Sequence, residues 1–344
     1  MIDSVRFRSL VDERLEEVIT AERQRIADRA PLIAPVFDEV SRLAFAGGKR
    51  TRPEFVHLGW IAAGGQPLAD VAVNIGAAFE LLHVSALVHD DVIDGALLRR
   101  GKPTTHVHVA GLHVREGWAG EERRVSEGAA VLTGNIAYAL ADTALGGIND
   151  LAREEWNRVR LEVNAGQYLD LIGAAMRVDD EDHALAVAYL KTAKYTVERP
   201  LRMGAAATGP VEESVMSGLT DFGMLLGIAF QLRDDVLGVF GDEAQTGKPV
   251  GDDLREGKAT VLMSRARRMA PPADRGLLDV VGDPGLSAAQ VAEIQDVIRS
   301  CGALESVESE IADYTERAVG MLGPGMACAG ELTDIARRMA KRAS

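Results

Sequence analysis

Residues 67–93 stay compatible with an α-helix for about seven turns at ~3.6 residues each. The run opens at Pro67, a residue suited to a first helical turn, and closes on the acids HDDVID. A second run, residues 217–232, spaces Leu219, Phe222, Leu225, Leu226, Ala229 and Phe230 three and four apart, which makes one buried helical stripe. It too closes on acids, Asp234 and Asp235. Alternating strand patterns are scarce. The expected fold is therefore all-α, a single large helical bundle. Ser287 followed by Gln290 predicts a capping box opening a late helix. Residues 101–127 are polar and Gly-rich and read as a long loop carrying short helical pieces. No linker-like break divides the chain, so residues 1–344 are expected to form one domain.

Composition narrows the function. Of the 344 residues, 47% are hydrophobic, enough for a sizeable core. The formal charge of −14 repels phosphate backbones and argues against nucleic acid as a partner. The two cysteines, Cys301 and Cys328, lack metal-ligand spacing and suit a reducing compartment. The N-terminal stretch is charged and has no signal-peptide apolar segment. No uninterrupted apolar run approaches the ~20 residues of a membrane helix. A soluble cytoplasmic protein without stable membrane insertion is expected.

In HDDVIDGALLRRG, Asp90 and Asp94 lie one helical turn apart on one face, while Asp91 points about 100° away. Stacked carboxylates repel unless a cation sits between them. Mg²⁺ suits the role, because it takes one or two carboxylates plus substrate phosphates. A solvated acidic helix end is the plainer reading, but the apolar run before the motif and Arg99 and Arg100 after it weigh against that. Asp234 and Asp235 repeat the pattern, and buried charge is costly unless paired or metal-bound. The basic stretch GGKRTRP sets Lys49 and Arg52 three apart on an incipient helical turn. Gly47 and Gly48 permit close backbone approach, and Pro53 opens the next helix. This suits a diphosphate held without metal. Lys191, Lys194, Lys248 and Lys258, all but Lys194 directly beside Thr or Gly, are taken singly more like surface lysines. Two acid clusters and one basic cluster in an apolar helical body point to two diphosphate substrates with apolar tails.

The ordered motifs GGKRTRP (47–53), DDVID (90–94), RRG (99–101), GQYLD (166–170), KTAKYT (191–196), QLRDD (231–235) and TGK (246–248) resemble those of the trans-isoprenyl diphosphate synthases, the polyprenyl synthetase family. The similarity is most like that of bacterial geranylgeranyl diphosphate synthases and runs over about residues 30–265. The resemblance implies an isoprenoid-synthase bundle with a central active-site cavity. It implies three Mg²⁺ ions, with Asp90 and Asp94 binding two, Asp234 the third, and Asp91 and Asp235 in support. Gly48, Lys49, Arg52, His83 and Arg100 would hold isopentenyl diphosphate. Arg99, Lys191, Lys248 and Lys258 would hold an allylic diphosphate, with Gln167 and Asp170 beside it. Thr192 and Gln231 would line the reacting carbons. The implied reaction is Mg²⁺-assisted ionisation, condensation and proton elimination, in a cytoplasmic homodimer.

Two positions depart from the pattern, and the loop at 101–127 is longer than in minimal members. Gly238 replaces the last acid of the second motif, which puts a water-mediated contact in doubt more than catalysis. Asp242, two turns beyond Asp234, is not expected to take its place. Asn135 stands where Asp is frequent. Product length depends on what floors the tunnel below the first motif. Ser85 and Ala86, five and four residues before Asp90, are small where farnesyl-type members carry an aromatic. The expected product is therefore C20, with C15 or C25 and longer as alternatives. Three rivals remain in view: a class I terpene cyclase, a non-catalytic subunit of a heteromeric synthase, and a di-iron site on the ExxH pairs Glu54–His57 and Glu80–His83.

Overall fold

The computed structural model describes residues 3–241, 250–323 and 325–341, and they are all-α apart from one two-residue hairpin. The chain divides into two compact units, residues 1–153 with 203–211, and residues 154–202 with 212–344.

The first unit contains α1 (Ser4–Ala27), a 3₁₀ turn (Pro31–Ile33), α2 (Ala34–Ala44), α3 (Thr51–Ala62), α4 (Asp70–Ile93), α5 (Thr105–Glu116), α6 (Glu122–Leu145) and the start of α7 (Asp150–Met176). Helix α4 is its axis. Ala72, Ile75, Ala77, Ala78, Phe79 and Leu81 are all fully buried, so the helix is apolar around its circumference and packs against α1, α3 and α6. It begins at Asp70, not Pro67, because Leu68 adopts φ +61 and cannot continue a right-handed helix. It stops in a Schellman motif. Gly95 takes φ +64, its N–H donates to the Val92 carbonyl, and the Ala96 N–H donates to the Asp91 carbonyl.

The expected long loop at 101–127 is mostly helix. A hairpin of β1 (Leu98–Arg99) and β2 (Lys102–Pro103) turns through Arg100 and Gly101, at φ +52 and +71. Two consecutive positive φ values suit a two-residue hairpin turn. Helix α5 follows at once and buries Thr105 and His113. Gly117, at φ +62, ends it before α6 begins at Glu122. The residues were polar because most of α5 faces solvent, not because they lack regular structure.

One interaction ties down the N-terminal part of this unit. Arg50, at φ +51 before α3, reaches Glu80 of α4 at 2.5 Å, Asp12 of α1 at 2.7 Å and the Ala44 carbonyl of α2 at 2.8 Å. Arg50 and Glu80 are both buried.

The second unit holds most of α7, then α8 (Glu181–Val187), a π-helical segment (Ala188–Glu198), the start of α9 (Arg199–Ala206), α10 (Glu213–Phe240), α11 (Asp252–Glu256), α12 (Val261–Met269), α13 (Arg275–Leu278), α14 (Ala288–Ser300), α15 (Ala303–Gly320) and α16 (Ala329–Ala340). Helix α10 packs against the π segment and α15. Its stripe is buried at Leu219, Phe222, Leu226 and Ala229 and half-buried at Leu225 and Phe230. The capping box at Ser287 and Gln290 forms as the sequence predicts. Both cysteines are free. Helices α4 and α10 are long and apolar enough to cross a membrane by length and composition alone, with 72% and 39% of their most apolar windows buried inside the protein.

Removing one partner of a buried ion pair strands the other charge, at about 3–5 kcal/mol. Glu80→Ala is therefore expected to lower stability by about 3 kcal/mol in urea denaturation. An unchanged midpoint would show that Arg50 does not hold α1, α2 and α4 together.

Candidate active site

In the first unit the Asp94 N–H donates to the Asp90 carbonyl at 2.8 Å, so the two acids stand one turn apart at the C-terminal end of α4. Both are half-buried. Asp91 is almost completely buried at 1% exposure and faces inward, where its carboxylate meets Arg99 at 2.7 Å. Asp90 lies 3.7 Å from the same guanidinium. Burial, followed in effect by the adjacent Asp90, raises Asp91 despite Arg99. In this structure Asp91 thus anchors the hairpin arginine to α4.

The cations gather on the same end. Arg100, at the hairpin tip, donates to the Gly47 carbonyl and, at 3.4 Å, to that of Ala46. Lys49 is exposed and precedes α3 instead of sharing a helical face with Arg52, because Arg50 leaves the helical region at φ +51. Arg52 is the second residue of α3. His83 lies on α4, where the field of these arginines reaches it. Burial, then Arg52, Arg99, Arg100 and Arg50, drive its imidazole well below the ordinary value, so it is neutral at pH 7. Of these arginines, Arg50 is matched by Asp12 and Glu80, and Arg99 by Asp91. Ser85 is buried at 2% exposure, whereas Ala86 is half-buried on the Asp90 side of the helix.

In the second unit, α7 presents Gln167 and, one turn later, Asp170, which binds Lys191 at 2.6 Å. Lys191 and Thr192 sit on the π segment, whose extra residue per turn re-aims side chains relative to an α-helix. Two glycines let neighbouring helices close on it. A Cβ on Gly166 would come within 2.4 Å of the Lys191 nitrogen, and one on Gly227 within 2.3 Å of the Ala193 Cα. Thr192 Oγ1 donates to Gln231 Oε1, and Gln231 Nε2 donates to Asp235 at 2.7 Å. The two polar residues expected at the reacting carbons thus form one chain ending at the second acid pair. Lys258 lies 3.4 Å from Asp253 and 2.9 Å from Glu256. Lys248, the TGK motif and Asp242 lie outside the described residues.

The donor set fits Mg²⁺. Asp90 and Asp94 offer hard oxygen ligands one turn apart. At the second cluster, burial and the adjacent Asp253 and Asp234 push Asp235 up to about 8, against the opposing Gln231 hydrogen bond and Lys258. A divalent cation relieves such crowding. Among the described residues no group of three or more His, Cys, Asp or Glu side chains is placed to hold a metal ion by itself. Mg²⁺ needs only one or two carboxylates beside substrate phosphates. The ExxH pairs do not assemble a di-iron site. Glu80 is bound to Arg50, and His57 stacks on Phe7 at 4.1 Å and is pushed down to about 4 by burial.

Three features were missed in the sequence: the Arg50 clamp, the π segment, and Asp253 beside Asp235. Asp12 lies 38 residues from Arg50, so no local spacing announces the clamp. The KTAKYT motif marks where the π segment lies but not its winding.

Acid pairs, a cation cluster around a neutral histidine and an all-helical apolar body define an enzyme that handles diphosphates. The chain belongs to the polyprenyl synthetase family, whose profile matches residues 34–299. It is a prenyltransferase, a trans-prenyl diphosphate synthase. A geranylfarnesyl diphosphate synthase of Aeropyrum pernix is 35% identical over 287 residues, covering 80% of this chain and 83% of that protein. A geranylgeranyl diphosphate synthase of Sulfolobus acidocaldarius is 29% identical over 302 residues, 85% of each chain. The crystal structure of a geranylgeranyl pyrophosphate synthase from Corynebacterium glutamicum, complexed with isoprenyl diphosphate and magnesium, matches with a TM-score of 0.93 at 33% identity, covering 99% of this chain and 100% of that one.

Gly166→Ala is expected to displace the Lys191 backbone. Displacing a positioned group by about 1 Å can cost about 100-fold in rate, so steady-state assays should show kcat lowered at least tenfold, at a stability cost of about 1–3 kcal/mol. Wild-type kinetics would remove Gly166 as a determinant of Lys191.

Proposed function

We propose that the enzyme joins isopentenyl diphosphate to an allylic diphosphate and releases a linear (E)-polyprenyl diphosphate, with the C20 chain as its main product. The observation that carries this reading is the Asp90–Asp94 pair one turn apart at the end of α4, with Arg99 folded back onto Asp91 and Asp90 and Arg100 held on the Gly47 and Ala46 carbonyls beside Lys49. Such a group suits a diphosphate bound next to a metal-binding carboxylate pair at the end of an apolar helix.

Gly48, Lys49, Arg52, His83 and Arg100 receive isopentenyl diphosphate. Arg99, Lys191, Lys258 and Lys248 receive the allylic diphosphate, with Gln167 and Asp170 beside it. Asp90, Asp94 and Asp234 hold three Mg²⁺ ions, with Asp91 and Asp235 behind them. When bound, Mg²⁺ stabilises the charge that develops on the leaving diphosphate. Neutral His83 donates a hydrogen bond without adding a proton to be lost. Asp170 fixes the Lys191 ammonium, which then meets the departing phosphate oxygens without reorganising. Thr192 and Gln231, bonded to each other and to Asp235, hold their polar atoms still beside the reacting carbons. The allylic C–O bond breaks with its electrons on the diphosphate. The isopentenyl double bond then forms the new C–C bond, and a proton passes to the released diphosphate.

The family match spans residues of both units, which supports one catalytic domain over residues 1–344. A cytoplasmic homodimer completes the proposal. Small side chains at Ser85 and Ala86 support a product longer than C15. The geranylgeranyl synthase among the matched structures supports C20, while the geranylfarnesyl relative marks the nearest alternative.

The purified chain alone, given isopentenyl diphosphate, each allylic primer and Mg²⁺, is expected to make a C20 diphosphate. Asp90→Ala should reduce that turnover at least 100-fold, and near-normal turnover would refute the metal assignment. Ala86→Phe should shorten the main product in chromatographic sizing. Ser85→Phe should do the same with an added overpacking cost of about 1–3 kcal/mol. An unchanged length distribution in both variants would sink the floor argument.

A further inference from the structure

The π segment (Ala188–Glu198) is gripped by two α-helices of the second unit, and both approach it through the same pattern. On α7, Glu162, Gly166 and Asp170 follow one another at four-residue steps. Glu162 meets Lys194 at 3.1 Å, a Cβ on Gly166 would lie 2.8 Å from the Lys191 Cα, and Asp170 holds the Lys191 ammonium. On α10, Gly223, Gly227 and Gln231 follow at the same step. A Cβ on Gly223 would lie 2.6 Å from the Glu198 Cα. One on Gly227 would overlap the Ala193 Cα and lie 2.6 Å from its Cβ, and Gln231 accepts from Thr192. Each polar partner thus stands one turn beyond a glycine that lets its helix close on the π segment.

Glycine weakens a helix interior relative to alanine, yet α10 carries two on this face, both buried. Neither Gly223 nor Gly227 has a positive φ, so what they supply is space and not backbone freedom. The residues they meet, Glu198 and Ala193, are five apart. At ~100° per residue an α-helix would put such a pair about 140° apart, off any common line. Winding with i→i+5 bonds brings them to one face. Residues four apart share a face on α10, so close approach at Gly227 carries Gln231 to the π segment one turn later. There Thr192, at 8% exposure, reaches Gln231, and Gln231 reaches Asp235 at 2.7 Å. A methyl group at 227 would push against Ala193, the residue next to Thr192.

We propose that Gly227 is the positioning residue for Thr192, the α10 counterpart of Gly166 for Lys191. The two glycines aim two adjacent residues of one helix in two directions, Lys191 to Asp170 and Thr192 to Gln231. This rests on the reading of Thr192 as a group beside the reacting carbons and adds what holds it there.

Steady-state assays of the full-length enzyme with isopentenyl diphosphate, an allylic primer and Mg²⁺ test it, with kcat referred to protein folded by circular dichroism. Gly227→Ala is expected to lower kcat about tenfold with both KM values within about twofold, since misplacing a bound group costs rate more than binding. Gly320→Ala, at the end of α15 where a Cβ would meet nothing within 4 Å, is the control and is expected to match wild type. A double-variant cycle separates positioning from plain packing. In a Thr192→Val background, Gly227→Ala is expected to cost less than about twofold more, because the hydroxyl it displaces is already gone. A glycine that only packs would lower stability and leave kcat alone, or cost the same factor in both backgrounds. Ala193→Ser crowds the same contact from the π segment and goes through the same cycle; it decides the matter if Gly227→Ala does not fold. The proposal is overturned if kcat stays at the wild-type value, or if the losses multiply. If Thr192→Val alone keeps wild-type kcat, the reading of Thr192 fails and the role of Gly227 with it. If Thr192→Val is impaired and only the Gly227 and Ala193 arms fail, that reading stands.

Discussion

Two long apolar helices end in carboxylates, and this is the least favourable end for them. The C-terminus of a helix carries a partial negative charge, so an acid there is repelled by its own backbone. Asp90, Asp91 and Asp94 at the end of α4, and Asp234 and Asp235 in the last two turns of α10, all carry this cost. Partial burial increases it. Much of the surrounding structure can be read as an answer to that charge. The hairpin returns Arg99 to Asp91 and Asp90, Gln231 turns its amide to Asp235, and Lys258 is brought to Asp253. At Asp90, Asp94 and Asp234 the hard carboxylate oxygens are of the kind that a divalent ion takes as ligands.

The same economy of charge separates structural from functional cations. Arg50 has two carboxylates and a carbonyl, and serves the packing of α1, α2 and α4. Arg199 is held by Glu155 at 2.5 Å and Glu162 at 2.6 Å, and braces the end of the π segment. Arg100 is bonded to backbone carbonyls, which leaves its charge without a carboxylate partner in those contacts. Burial, and after it four arginines, keep His83 neutral. A doubly charged phosphate group entering this field meets positive potential with little reorganisation.

Much of this was legible beforehand, for definite reasons. Helix class and the buried stripe of α10 follow from three-and-four spacing, and the Ser287 cap from a local hydrogen-bond pattern. Asp90 and Asp94, Lys191 and Thr192, and Gln231 and Asp235 were singled out by motif, and the structure shows how the last three connect. What spacing could not show was backbone with positive φ. Leu68 moved the start of α4, Arg50 took Lys49 off the helix, and Arg100 with Gly101 made a hairpin where a loop was expected. Contacts distant in sequence were equally silent, as Arg50 with Asp12 and Gly238 with Asp253 show.

The central claim is that carboxylates at two helix ends are balanced by bound metal. Anomalous diffraction from crystals grown with Mn²⁺ and inorganic diphosphate tests it most directly. The account predicts anomalous peaks at the Asp90–Asp94 carboxylates and at Asp234. Density for diphosphate without manganese at either acid pair would contradict it.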